Sequence, residues 1–153
     1  MQKRLLGSTG ISVSPMGLGT VKFGRNQGVK YPQGFELPSD QTILNLIHHA
    51  KDLGINLLDT APAYGNSEER LGKLLSGQRQ DWVIVTKAGE EFIDGQSHFD
   101  FGEKHLRYSI ERSLVRLQTD YLDVVLIHSD GHDQTLIEQE QVFATLQRAK
   151  QQG

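Results

Sequence analysis

Trp82-Val-Ile-Val-Thr86, closed by Lys87, is the stretch on which the fold turns. Its residues have almost pure β propensity, with no polar alternation to mark a wet face. Such a run reads as a strand buried on both sides, the kind found inside parallel sheets. Parallel neighbours need long crossovers, usually helices, between them.

The flanks supply those crossovers. Upstream, Ser67 is placed to cap a helix that carries Leu71, Leu74 and Leu75 and stops at Gly77. Before it, Ile55 to Leu58 is a short apolar run bounded by turn residues, a second buried strand. Ser39 is the expected N-cap of an earlier helix, whose apolar stripe is Ile43, Leu46, Ile47, Ala50 and Leu53, with Gly54 just past its end. Met16 to Phe23, between Pro15 and Gly24, reads as the first strand. Downstream, Glu103 to Leu117 holds Leu106, Ile110, Leu114 and Leu117 on one helical face. Tyr121 to Ile127 is the fourth strand, and Gln134 to Lys150 continues the helical period through Ile137, Val142, Leu146 and Ala149. Residues 2–14 read as a hairpin turning at Ser8-Thr9-Gly10, and Gly24 to Pro38 as a loop over the first strand end.

Four βα units in a row fit either an open doubly wound sheet or part of a closed (β/α)₈ barrel. A whole barrel needs eight strands and about 250 residues. The 153 residues have room for half of that, and their length predicts one domain over 1–153.

Composition narrows the class. Charged residues are 23%, an ordinary globular share, which excludes a disordered polar chain. Sixteen Lys and Arg against 19 Asp and Glu leave a net charge of −3, so neither nucleic acid nor an anionic membrane is the expected partner. The absence of cysteine excludes disulfides, thiolate metal sites and cysteine nucleophiles. The basic start, Met1 to Gly7, lacks the apolar stretch of a secretory signal, and the longest strongly apolar run, Val124 to Ile127, is too short to span a bilayer. The expectation is a soluble cytoplasmic protein.

The residues with chemistry to offer stand at the carboxyl ends of the strands. Gly19-Thr20 ends the first, Asp59 the second, Lys87 the third and His128 the fourth, and Tyr64 lies in the turn after Asp59. In a parallel sheet all carboxyl ends share one rim, where ligands bind in both candidate folds. Singly, each residue has an ordinary reading as a turn, packing or surface group. Together they set a carboxylate, a phenol, an ammonium and an imidazole around one place. An ionisable group on the end of a buried strand needs a partner, and Asp59 and Lys87 come from adjacent strands. A phenol is a poor acid at neutral pH. A nearby ammonium stabilises the phenolate and makes proton donation easier. With His128 donating to a substrate oxygen beside Tyr64, such a site protonates a developing alkoxide while another group supplies hydride.

These residues lie in five stretches that resemble the aldo-keto reductases, specifically their N-terminal half. They are Val13-Ser-Pro-Met-Gly-Leu-Gly-Thr20, Gly54-Ile-Asn-Leu-Leu-Asp-Thr-Ala-Pro-Ala-Tyr-Gly65, Ser67-Glu-Glu-Arg-Leu-Gly72, Val83-Ile-Val-Thr-Lys-Ala-Gly89 and Asp120-Tyr-Leu-Asp-Val-Val-Leu-Ile-His128. The resemblance covers essentially the whole chain. It implies a (β/α)₈ barrel of which the first four βα units are present, preceded by an N-terminal β-hairpin. It implies NAD(P)H-dependent reduction of an aldehyde or ketone to an alcohol, with NADP favoured over NAD and no metal. It assigns the tetrad to Asp59, Tyr64, Lys87 and His128, with Tyr64 the proton donor, and places Gly19, Thr20, Val21 and Asp59 beside the cofactor. In the family the later strands carry most of the cofactor surface. The 153 residues therefore read as a fragment or truncated form, of doubtful activity alone, expected to self-associate through open sheet edges.

Other signals are weaker. Gly17-Leu-Gly19 opens like a dinucleotide fingerprint, but Lys22 stands where a third glycine belongs. Gly65 to Lys73 has the wrong spacing for a P-loop. His128, Asp130, His132 and Asp133 are metal-ligand types, which keeps a metal-dependent hydrolase as a lesser alternative. An inactive half-barrel or interaction module is the main alternative to an enzyme.

Overall fold

The computed structural model describes residues 1–152. A two-stranded hairpin, β1 (Arg4–Leu5) and β2 (Ser12–Val13), comes first. The centre is a four-stranded parallel sheet of β3 (Gly17–Gly19), β4 (Leu57–Asp59), β5 (Val83–Ala88) and β8 (Val124–Ile127), adjacent in that order. A second hairpin, β6 (Glu90–Ile93) and β7 (Gln96–Phe99), leaves the end of β5. The helices are α1 (Val21–Gly24), α2 (Asp40–Asp52), α3 (Ser67–Leu74), α4 (Glu103–Leu117), α5 (Asp133–Ile137) and α6 (Glu140–Gln152).

Register sorts the side chains onto two faces. Gly19 lies beside Asp59, Asp59 beside Val85 and Val85 beside Val124, while Lys87 lies beside Leu126. Side chains alternate along a strand, so these residues share one face, the concave side of the half-barrel. Leu18, Leu58, Ile84, Thr86, Ala88 and Val125 take the other. There the helices cover them. Leu58 and Ile84 pack with Ile43 and Ile47 of α2, Leu71 of α3, Leu117 of α4 and the side chain of Trp82. A second cluster joins Ala88, Leu106 of α4 and Val142 of α6.

The local signals act as their chemistry requires. The Ser39 hydroxyl accepts from Thr42 N–H at 3.1 Å and starts α2, and Gly54, at φ +82°, turns the chain out of it. The first hairpin turns between Leu6 and Ile11, whose N–H and carbonyl pair at 2.9 Å. Asn56 ties that hairpin to the foot of the sheet: Ser14 N–H donates to Asn56 Oδ1 at 2.7 Å, and Asn56 Nδ2 donates to the Ser12 carbonyl at 2.9 Å.

Three local expectations need correction, and one hairpin lies where the sequence reading assigned no element. The first strand ends at Gly19, and Val21–Gly24 is a helical turn rather than its continuation. In an extended chain Phe23 would not reach the core; the turn buries it against α2 and α3. Ser67 does not cap α3. It is the helix's first residue, and its hydroxyl is spent on Thr20. The Gln134–Lys150 helix is broken into α5 and α6. Leu136 and Val142 are both buried, yet six residues of continuous helix would set them about 120° apart at 3.6 residues per turn. The break lets each face the core. Finally, the stretch between β5 and α4 holds the β6–β7 hairpin, which apolar patterning does not mark. Asp94-Gly95, both at positive φ, forms its turn.

Candidate active site

The carboxyl rim of the sheet is built by hydrogen bonds that run past the formal strand ends. Thr20 N–H donates to the Asp59 carbonyl at 2.9 Å, Thr60 N–H to the Val85 carbonyl at 2.8 Å and His128 N–H to the Ala88 carbonyl at 2.9 Å. Each chemistry-bearing residue therefore sits on a pinned backbone. Asp59 and Lys87 share the concave face and meet there. Lys87 Nζ lies 2.9 and 3.0 Å from the two Asp59 oxygens and 2.9 Å from the Thr60 carbonyl. An ammonium has three protons, so these contacts occupy its donors. Its field, and not a hydrogen bond, is what remains for its neighbours.

The neighbour is Tyr64. Lys87 Nζ stands 4.8 Å from the centroid of its ring. On another side the His128 ring approaches edge to face, with centroids 6.0 Å apart. Tyr64 is on a turn, and two glycines hold that turn against α1. A Cβ on Gly65, itself at φ +62°, would lie 2.0 Å from the Gly24 carbonyl oxygen, and a Cβ on Gly24 2.3 Å from the Tyr64 carbonyl oxygen. Only a pair of bare backbones fits. Three buried hydroxyls close the same corner. Ser67 Oγ donates to Thr20 Oγ1 at 2.8 Å and lies 3.2 Å from Thr60 Oγ1, and Thr20 Oγ1 donates to the Asp59 carbonyl at 2.9 Å.

The four residues Asp59, Tyr64, Lys87 and His128 are thus brought together. Of the residues expected at a cofactor, Gly19 is exposed on the rim and Val21 half-buried beside it. Thr20 is fully buried, and its side chain braces the Asp59 strand end. His132 stands apart, with its side chain 79% exposed, and among the described residues no three His, Asp or Glu groups converge as a ligand set.

Two further residues belong to this corner. Glu90 opens β6 directly behind His128, with Oε2 2.7 Å from His128 Nδ1, and accepts from Ser97 Oγ at 2.6 Å. Arg25 lies 3.6 Å from Glu90, donates to the Ala63 carbonyl at 3.1 Å and stacks 3.4 Å over the Phe92 ring. Burial by itself pushes the Glu90 carboxyl up; the close His128 ring, the hydrogen bond from Ser97 and the charge of Arg25 outweigh it and hold it below the usual carboxylate range. The sequence carried one signal for this feature. Asp-Gly between Glu-Glu-Phe-Ile and Gln-Ser-His-Phe is a strong short hairpin mark, and Gly89 before it offers the turn.

Comparison with known proteins gives the same outline. The sequence profile of the Aldo/keto reductase family matches residues 15–153. The chain is 31% identical to the uncharacterized oxidoreductase YqkF of Bacillus subtilis and 35% identical to L-galactose dehydrogenase of Arabidopsis thaliana, in each case over the whole chain and 46% of the relative. Among solved structures, a candidate aldo-keto reductase of Pseudomonas aeruginosa, PA4992, superposes with a TM-score of 0.90 at 56% identity, covering 99% of this chain and 56% of that one. The holo form of aldo-keto reductase AKR11C1 from Bacillus halodurans gives 0.80 at 30% identity, over 47% of its length. The chain spans about half the length of the relatives it matches.

Proposed function

Since the chain belongs to the aldo/keto reductase family, we propose that it supplies the catalytic half of a cytoplasmic NAD(P)H-dependent oxidoreductase that reduces an aldehyde or ketone to an alcohol. The observation that carries this reading is the Asp59–Lys87 ion pair set beside the Tyr64 ring, with His128 on another side of that ring.

The rim suits a flat cofactor ring. Nothing lies within 4 Å of the position a Cβ on Gly19 would take, so the glycine leaves open space next to Asp59. Gly19, Val21 and Asp59 would hold that ring, with Thr20 acting from behind through the Asp59 strand end. When bound, the dinucleotide supplies hydride to the carbonyl carbon, and NADP is the favoured form. The chain's own residues do the rest. His128 orients the carbonyl oxygen. Tyr64 delivers the proton to that oxygen as negative charge develops on it. Lys87 stabilises the phenolate left behind, since its positive field is close and its donors are already engaged by Asp59 and Thr60. Asp59 keeps the ammonium charged and aimed.

Carbonyl-dependent loss of NADPH absorbance, measured on the intact protein with a panel of small aldehydes and ketones, tests the proposal. Turnover is expected with NADPH in preference to NADH. No turnover with either dinucleotide would overturn it.

The two outer strands also carry a proposal. β3 and β8 pair on one side only among the described residues, and unpaired edges template further pairing. An apolar groove of about 530 Å³, lined by Leu6, Ile110, Leu114, Leu122, Val124 and Leu146, runs beside β8. The 153-residue chain is therefore expected to self-associate through these edges. Sedimentation at tens of micromolar should show a dimer or larger species, and a stable monomer would refute the association.

A further inference from the structure

We propose that Glu90 is a positioning residue for His128: its carboxylate, held by Ser97 and Arg25, fixes the imidazole with a proton on Nδ1 and leaves Nε2 as the nitrogen available to a ligand. The consequence for turnover rests on the reductase reading above; the placement of the proton does not.

Glu90 is 6% exposed, and a carboxylate so placed is costly unless it is paired and hydrogen-bonded. The antiparallel ladder of β6 and β7 needs no acid there. What the acid meets is His128 Nδ1 at 2.7 Å, Ser97 Oγ at 2.6 Å and Arg25 Nη1 at 3.6 Å. An ionised carboxylate only accepts. The negative charge so close to Nδ1 favours a proton there over a bare nitrogen. The contact is a close approach of charge without the alignment of a hydrogen bond.

His128 is constrained in both of its protonation states. As a neutral ring it holds its proton on Nδ1 and presents Nε2 as an acceptor. To donate from Nε2 to a substrate oxygen it must carry both protons, and Glu90 then balances the added charge. Nε2 has no hydrogen-bond partner among the described residues, so nothing in the chain competes for it.

The clamp is itself held. Arg25 Nε and Nη2 donate to the Gln27 and Gly28 carbonyls, both at 2.9 Å, while Nη1 reaches the Ala63 carbonyl just before Tyr64. One guanidinium thus ties the Tyr64 turn to the acid behind His128. Gly89, at φ +105°, turns the chain at the end of β5 so that Glu90 points back at the rim, and a Cβ there would strike the Phe101 ring at 2.6 Å.

Imidazole ¹⁵N shifts of histidine-labelled protein read the proton position directly, and His128→Asn assigns the signal. In the unaltered chain His128 Nδ1 should be protonated near neutral pH. Glu90→Gln should release the ring to a mixture rich in the Nε2–H form, and Glu90→Asp should restore the original pattern in part. In turnover, kcat of the unaltered chain should fall with rising pH more steeply than that of Glu90→Gln, whose Nε2–H form donates without a second proton. A bare Nδ1 in the unaltered chain, or an unchanged pattern in Glu90→Gln, would overturn the proposal. The first of these needs no variant to fold. A protonated Nδ1 that is lost in Glu90→Gln, in a protein without carbonyl reduction, would refute the reductase reading and leave the clamp standing.

Discussion

The two faces of the central sheet are made from the same strands and do opposite work. On the convex face Leu58 and Ile84 are 0% exposed beneath three helices. On the concave face Leu126 remains 45% exposed, and the Asp59 side chain 41%. Alternation along β4 and β5 sends one set of side chains into packing and the next into open space. The convex face supplies stability. The concave face, relieved of that duty near its carboxyl rim, carries an ion pair, a phenol and an imidazole that no packed core would tolerate without partners.

The widest separation between the faces should appear in activity. Tyr64→Phe removes the proposed proton donor and leaves the ring's packing in place. Carbonyl reduction should fall by about 10²- to 10⁴-fold, the range assigned to a positioned acid, with the melting temperature unchanged. A matched loss of both would mean that the concave rim is structural.

Stability should show the reverse contrast. Ile84→Ala, in the convex core, should cost about 2–5 kcal/mol, as buried aliphatic truncations do. Leu126→Ala, at the same sheet's open side, should cost well under about 1 kcal/mol. Urea unfolding of both variants checks this. Equal costs would show that the concave face is covered in solution.

The smallest effect concerns two carboxylates on opposite faces. Glu68, under the helices, accepts from Thr86 Oγ1 at 2.7 Å, and burial pushes its carboxyl above the usual range despite that hydrogen bond and the charge of Arg116. Glu90 is held below that range. A raised carboxyl contributes stability that is complete below its ordinary value and fades as pH rises through the folded value. A lowered one contributes stability that is complete above its ordinary value and fades as pH falls through the folded value. Melting temperatures recorded from about pH 3 to 8 should therefore lose part of their acid limb in Glu90→Gln, while Glu68→Gln should recover relative stability toward neutral pH. Parallel shifts in both variants would contradict the opposed signs.

Much of the plan is legible along the chain. Helical stripes locate α2, α3 and α4, and apolar runs locate β4, β5 and β8, because periodicity is a local property set by which face must be buried. The placement of Asp59, Lys87 and His128 on one rim comes from strand direction alone. Where local reading fails, a distant contact has overruled a local preference. Val21 to Phe23 has strand propensity, but Phe23 is needed in the core between α2 and α3. Ser67 looks like a helix cap, but Thr20 claims its hydroxyl.

By itself the sequence determined the βα alternation, the parallel sheet and the rim on which Asp59, Lys87 and His128 gather, with Tyr64 in the turn beside it. Each of these depends on spacing within a few residues or on the order of elements. Only the tertiary structure decided that Lys87 also donates to the Thr60 carbonyl, that Gly24 and Gly65 press the Tyr64 turn against α1, and that Glu90 and Arg25 stand behind His128. Those pairings join residues far apart in the chain, and their partners are chosen by where positive-φ glycines turn the backbone and by which buried charge finds a counter-charge within reach.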